Sequence, residues 1–142
     1  MAQPRIGQKV VVDVPATTAN LGPGFDCLGA ALDLNNRFAM RRIEGGGERF
    51  ELIIEGTEGS HLRGGPENLV YRAAQRVWKA AGLEPVALEA RVRLAVPPAR
   101  GLGSSATAIV AGLMGANALV GEPLSKEKLL ELAIDIEGHP DN

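Results

Sequence analysis

The sequence predicts an α+β domain, in which one mostly antiparallel or mixed sheet carries helices packed against it. Valine-rich and alternating apolar segments, which are typical of strands, occupy the first part of the chain. Later segments repeat apolar residues every three or four positions, as amphipathic helices do. The 142 residues suit one domain and are enough to bury a core without disulfides or structural metals.

The strands are predicted from apolar alternation and from the glycines and prolines that bound it. The first strand ends at Pro15, and the glycine-rich stretch 16–29 that follows is expected to be irregular. The second and third strands are separated by three glycines, residues 45–47, which predict a hairpin. The predicted strands cover residues 8–14, 30–43, 50–55 and 86–96.

The helices are predicted from apolar stripes and from capping residues at their ends. Gly82 lies where the first helix should end. Ser104 or Ser105 is expected to cap the second helix, and Ser125 the third, which Gly138 stops. The predicted helices cover residues 67–81, 104–120 and 125–136.

Composition argues against several kinds of partner and location. The net charge of −2 gives no electrostatic basis for binding nucleic acid. No apolar run approaches the roughly 20 residues of a membrane span, so no membrane is expected as a partner. The single cysteine, Cys27, cannot form an internal disulfide, and a reducing, cytoplasmic location is therefore expected.

The segment Gly101-Leu102-Gly103-Ser104-Ser105, between a predicted strand and helix, is typical of an anion-binding loop. Glycines let backbone N–H groups approach phosphate closely, and the serine hydroxyls can contact phosphate or Mg²⁺. From the residues alone, a plain glycine-rich helix cap stays open beside a mononucleotide site. A dinucleotide site ranks lower, because the helical pattern that follows leaves no second parallel strand.

The run P-x-x-x-G-L-G-S-S-A, residues 97–106, resembles the second motif of the GHMP kinase superfamily, which includes galactokinases and mevalonate kinases. In that superfamily the loop wraps the phosphates of ATP. The resemblance implies a mixed-sheet N-terminal domain, ribosomal protein S5 domain 2-like, with a left-handed β-α-β crossover. It implies ATP contacts at Pro97, Pro98, Ala99, Arg100, Gly101, Leu102, Gly103, Ser104, Ser105, Ala106 and Thr107.

The first glycine-rich segment, residues 15–29, is similar to the N-terminal signature of homoserine kinases within that superfamily. Galactokinases and mevalonate kinases carry a Gly-Glu-His element there, which this chain lacks. The resemblance implies L-homoserine as the substrate, with Asn20 and Asp26 as contacts. A carboxylate suits the ammonium group of an amino acid, although Asn and Asp also serve backbone hydrogen bonds in turns.

The last six residues, E-G-H-P-D-N at 137–142, are similar to a motif of bacterial homoserine kinases. The resemblance implies substrate binding by His139 and a catalytic position for Asn142 near the acceptor hydroxyl. Asp141 is the candidate general base, although a loose transition state needs none. From the residues alone, the same segment is also compatible with an ordinary turn.

An acidic residue on the preceding helix is expected to bind Mg²⁺ in this family. Glu137 is favoured together with Ser105, with Glu131 as the alternative and Asp135 as a third candidate; each acid is also compatible with a solvated helix face. Asn68 begins a helix that lies near the adenine in these kinases, so the resemblance implies an ATP contact there. A plain N-terminal helix residue is equally compatible with that position.

The implied reaction is ATP + L-homoserine → ADP + O-phospho-L-homoserine, a step of threonine biosynthesis. The resemblance covers nearly all 142 residues but only the first half of the family's protein. We therefore expect one truncated ATP-binding domain, inactive by itself, with a homodimer as one candidate assembly at full length. Two alternatives stay open: another GHMP small-molecule kinase, and a non-catalytic fragment that binds a nucleotide.

Overall fold

The computed structural model describes residues 3–19, 21–23, 27–55, 65, 67–96 and 101–139. Within them, four strands form one mixed sheet and three helices accompany it, which confirms the predicted α+β class. In chain order the elements are β1 Lys9–Ala19, β2 Gly29–Arg42, β3 Phe50–Ile54, α1 Leu69–Ala80, β4 Leu88–Arg93, α2 Ser104–Leu119 and α3 Lys126–Glu137.

The strand order in the sheet is β1-β2-β4-β3, and the predicted hairpin between β2 and β3 is wrong. β2 pairs antiparallel with both β1 and β4, whereas β3 runs parallel to β4. The segment after β2 bonds to the entry of β4 instead of folding back: Ile43 N donates to Ala87 O, and Leu88 N donates to Arg49 O. The parallel pair is possible because α1 lies between its two strands in the chain.

The first strand is longer than predicted and passes through Pro15 to Ala19. The register of β1 against β2 shifts between Pro15 and Thr17, which marks a bulge. β1 is an edge strand, so one side of it has no ladder partner and a proline lacking its N–H is tolerated. As a result, regular structure extends four residues into the stretch 16–29 that was expected to be irregular.

Small residues let α2 approach its neighbours closely. A Cβ on Gly112 would lie 2.3 Å from the carbonyl oxygen of Val70 in α1. A Cβ on Gly115 would lie 2.3 Å from the sulfur of Met40 in β2. The two glycines therefore bring α2 against both α1 and the sheet, where the apolar core lies.

Three helix ends, at the start of α1 and at both ends of α3, follow local capping rules. Asn68 caps α1 by accepting a hydrogen bond from Val70 N at 2.9 Å. The predicted cap of α3 is confirmed, since the side chain of Ser125 accepts from Lys128 N. Gly138 ends α3 with a left-handed φ of 87°. No helix in the described part of the chain has the length and apolar character needed to cross a membrane.

Candidate functional site

The glycine loop leads into α2 through two left-handed residues, Gly101 with φ 68° and Gly103 with φ 71°. Gly103 is the N-cap of α2, and no side chain among the described residues caps this helix end. The prediction that Ser104 or Ser105 supplies the cap is therefore wrong, because both serines lie inside the first turn. The unpaired N–H groups of that turn and the helix dipole favour an anion at this end of α2.

The end of β1, which opens the first glycine-rich segment, contacts the glycine loop. Thr17 N, near the end of β1, donates a hydrogen bond to Leu102 O at 3.1 Å. The chain just before Asn20 is thereby attached to the centre of the glycine loop. Asn20 and Asp26 themselves lie outside the described residues, as do Pro97, Pro98, Ala99 and Arg100.

The start of α2 and the end of α3 meet at a hydroxyl–carboxylate pair. Ser105 Oγ donates to Glu137 Oε1 at 3.2 Å. His139 Nε2 lies 3.7 Å from the same carboxylate oxygen, and the Glu137 side chain is only 18% exposed. Three residues proposed for metal and substrate thus lie together beside the uncapped end of α2.

The two other acidic candidates lie in different surroundings. Glu131 accepts a hydrogen bond from Lys128 Nζ at 3.1 Å, one turn away on α3. Asp135 forms an ion pair with Arg76 of α1. Of the three acids, Glu137 alone contacts the first turn of α2 in the described structure. Asp141 and Asn142 lie outside the described residues.

Two cavities lie on opposite sides of the first turns of α2. The larger, of about 230 Å³, lies between α1, the sheet and α2, and Asn68 and Ser104 line it. The smaller, of about 70 Å³, lies between α2 and α3, and Ala106, Glu137 and His139 line it. Asn68 therefore borders a cavity that the first turn of α2 also lines, although its Oδ1 caps α1 as well.

One residue at this site was missed from the sequence. Asn36 of β2 is 1% exposed, and its side chain bonds to the chain on both sides of the glycine loop. A signal for it was present: Leu34, Asn36, Phe38 and Met40 alternate along one face of β2, and Asn36 is the polar member of that set. A polar residue on a core-facing position needs partners inside the protein.

Known proteins share both this sequence and this fold. The family described as GHMP kinases N terminal domain matches residues 68–142. Homoserine kinases of Synechococcus sp. strain CC9605 and strain CC9902 are 99% and 98% identical to the chain over all 142 residues. The chain spans 45% of the length of each of these relatives.

Solved structures agree with these matches. The homoserine kinase of Cytophaga hutchinsonii is 30% identical, with a TM-score of 0.78 over 96% of this chain and 43% of its own. The galactokinase of Lactococcus lactis is 16% identical, with a TM-score of 0.72 over 92% of this chain and 38% of its own, which shows a common fold. The family match covers more than half of the chain, and the chain therefore belongs to the GHMP kinases as an N-terminal domain.

Proposed function

We propose that this chain is the ATP-binding part of a homoserine kinase, which phosphorylates the side-chain hydroxyl of L-homoserine in threonine biosynthesis. Curated relatives that match the whole chain at 90% identity or more carry the name homoserine kinase. The observation that carries the proposal is the Ser105–Glu137 pair beside the uncapped N-terminus of α2. That arrangement would set an anion site beside two oxygen ligands for a metal ion, a combination that suits phosphoryl transfer.

The phosphates of ATP are assigned to the phosphate loop and the turn that follows it, residues 97–106. Thr107 is only 2% exposed and bonds to Asn36 and Ser104, so it would support this site without contacting the ligand. Gly101 and Gly103 have left-handed backbone conformations, which would let the loop curve around the phosphates. The first-turn N–H groups of α2 would donate hydrogen bonds to the phosphate oxygens. The hydroxyls of Ser104 and Ser105 lie in the same turn. Positive partial charge at this helix end stabilises both the bound triphosphate and the charge that shifts during transfer.

The residues present fit Mg²⁺. Ser105 and Glu137 offer two hard oxygen ligands 3.2 Å apart. Mg²⁺ is usually held by one or two carboxylates together with phosphates and waters, so a larger protein cluster is not required. Bound there, the ion would neutralise charge on the ATP phosphates. Glu131 remains the less favoured alternative, since Lys128 neutralises it.

The adenine is assigned to the larger cavity between α1 and the sheet. Asn68 and Ser104 both line that cavity, which places one wall beside the phosphate loop. Apolar side chains, among them Phe38, Leu52 and Leu69, line most of the remainder and suit an aromatic base, and the buried side chains of Asn36 and Thr107 also border the cavity. Because Asn68 Oδ1 caps α1, we assign the contact with the base to its amide nitrogen.

The amino-acid substrate is assigned to the opposite side of the loop. Asp26 and Asn20 would hold its ammonium group and polar atoms, and His139 would contact it beside Glu137. The homoserine hydroxyl oxygen attacks the γ-phosphorus, and the bond from that phosphorus to the bridging oxygen of ADP breaks. Asn142 would orient the hydroxyl, and its proton would pass to Asp141 or to water, since a loose transition state demands little of a base.

The same proposal extends to the full-length protein. Because its relatives are about twice as long, the remaining half would complete the substrate site, and the chain alone would not turn over. The full-length enzyme would work in the cytoplasm, with which the one cysteine among these 142 residues is compatible, and as a homodimer. Its partner is a small molecule, in keeping with a net charge of −2.

The test is a substrate panel. The full-length protein is given Mg-ATP with L-homoserine, L-serine, L-threonine or mevalonate, and ADP release is measured. We expect ADP release that is selective for L-homoserine. Selective release with another acceptor would replace the proposed substrate. A protein that binds ATP yet releases ADP with none of the four would contradict the proposal and leave nucleotide binding without transfer.

A further inference from the structure

We infer that Asn36 is a positioning residue, which ties Ala95 and Val96, just before the phosphate loop, to Thr107 in the first turn of α2, just after it, and so supports the geometry that would bind ATP. The inference rests on the proposed function, because it assumes that this loop binds the phosphates. Asn36 belongs to β2 and lies far from the loop in the sequence. Its role depends on contacts that the fold creates.

The side-chain oxygen of Asn36 holds the first end of the loop. Asn36 Oδ1 accepts hydrogen bonds from Ala95 N and from Val96 N, each at 2.8 Å. Val96 is 2% exposed and directly precedes the loop. Two converging bonds to adjacent backbone N–H groups fix the direction in which the chain leaves β4.

The side-chain nitrogen of Asn36 holds the second end. Asn36 Nδ2 donates to Thr107 Oγ1 at 3.0 Å, and Thr107 Oγ1 donates in turn to Ser104 O at 2.7 Å. Thr107 is 2% exposed, so its hydroxyl is turned into the protein. One buried amide therefore ties the exit of β4 to the first turn of α2, where the anion site lies.

An amide is the side chain that this position requires. Its oxygen accepts two bonds and its nitrogen donates one, which matches the two N–H donors and the hydroxyl oxygen around it. The Thr107 proton is already used by Ser104 O, so Thr107 can only accept from residue 36. A carboxylate of the same shape would lose that donor and would place a charge in a buried site.

Asn36→Asp is therefore the direct test, and Asn117→Asp is its matched control. Asn117 is a second buried amide, 5% exposed, at the far end of α2, where it bonds to the backbone N and O of Leu124. Both variants remove one side-chain N–H donor from a buried amide and add the same charge: Asn36 Nδ2 donates to Thr107 Oγ1, and Asn117 Nδ2 donates to Leu124 O. Only Asn36→Asp disturbs the phosphate loop.

The measurement is the dissociation constant for Mg-ATP by calorimetry in the full-length protein, together with KM for ATP and for L-homoserine. We expect Asn36→Asp to weaken ATP binding about 10- to 100-fold, as small displacements of binding groups do. We expect KM for L-homoserine to stay close to the wild-type value. Asn117→Asp should keep the wild-type ATP affinity even where it lowers thermal stability.

If the Asn36→Asp protein does not fold, a milder pair of variants at Thr107 tests the same hydrogen bonds. Thr107→Val removes the hydroxyl that links Asn36 to Ser104 and keeps the side-chain shape, whereas Thr107→Ser keeps the hydroxyl. Weaker ATP binding in the valine variant, restored in the serine variant, supports the inference. Unchanged ATP affinity in Asn36→Asp or Thr107→Val, or equal losses in Asn117→Asp, would overturn it. A wild-type protein that fails to bind ATP would instead overturn the proposed function.

Discussion

The close approach of α2 to α1 makes Gly112→Ala a sharp test of the packing. The added Cβ would lie 2.3 Å from Val70 O and 2.7 Å from the Cβ of Ala73. Ordinary van der Waals contact begins at 3.4 Å, so the two helices would have to separate by about 1 Å. Neither atom can rotate away, because one belongs to the backbone and the other is attached to it.

The expected magnitude follows from two opposing effects. Alanine inside a helix is favoured over glycine by about 1 kcal/mol. Overpacking a tight core costs about 1–3 kcal/mol, and rigid opposing atoms place this site at the upper end of that range. We therefore expect Gly112→Ala to lower the free energy of unfolding by about 2 kcal/mol.

Gly115→Ala is the matched control on the same helix. Its Cβ would lie 2.3 Å from Met40 Sδ, but a methionine side chain has three rotatable bonds and can repack. The propensity gain is the same, so we expect a net change close to zero. Urea denaturation, followed by the fluorescence of the single tryptophan, Trp78, measures both variants.

The result that would refute this reasoning is equal stability of the two variants. A Gly112→Ala protein as stable as the wild type would mean that α1 and α2 can separate freely. A Gly115→Ala protein that loses as much stability as Gly112→Ala would mean that the side chain of Met40 does not yield. Either outcome would show that the backbone contact is not what distinguishes Gly112.

Three further variants test the core, the proposed metal site and the glycine loop. Tyr71→Phe leaves Glu48 N and Val86 O without their partner and should lower the free energy of unfolding by about 1–3 kcal/mol in urea titrations. Burial raises the pKa of Tyr71 above 10.0, so the unfolded chain ionises first and wild-type stability should fall above pH 10, and this fall should be smaller in the Phe variant. Glu137→Gln should raise the Mg²⁺ concentration for half-maximal ADP release about 10- to 100-fold, and Glu131→Gln should leave it unchanged. Gly103→Ala places a Cβ at φ 71° and should cost about 1 kcal/mol of stability and weaken ATP binding, measured by calorimetry.

Local patterns in the sequence predicted much of the secondary structure. The predicted helix 67–81 is observed as Leu69–Ala80. Its cap and its apolar stripe both depend on residues that are only a few helical turns apart in the chain. Ser125 and Gly138 bound α3 as predicted, because N-caps and left-handed C-caps depend on neighbours three or four residues away. The glycine loop was likewise placed correctly between a strand and a helix.

Strand pairing was predicted less well. Three glycines between β2 and β3 favoured a hairpin, yet β4 lies between these strands. Glycines between two strands indicate only that the chain changes direction there. Which strands pair is decided by which strand packs best against each edge of the sheet. Pro15 was likewise treated as a strand end, although a bulge on an edge strand accommodates it.

The candidate site came partly from resemblance and partly from structure. The roles proposed for Ser105 and Glu137 were carried over from motifs, and the residues alone left a helix cap and a solvated face open. The structure brings their side chains to 3.2 Å, across 32 residues of sequence. Asn36 carried no motif, and only its partners reveal what it holds.

By itself, the sequence determined the α+β class, both ends of α3 and the position of the glycine loop, because these depend on residues close together in the chain. The tertiary structure alone decided the strand order, the meeting of α2 with α3 and the clamp at Asn36. Those contacts join residues up to 71 positions apart, and the bonds of Asn36 to Ala95, Val96 and Thr107 form only once the sheet and α2 have packed. Long-range contacts of this kind follow from burial and shape, which no local pattern encodes.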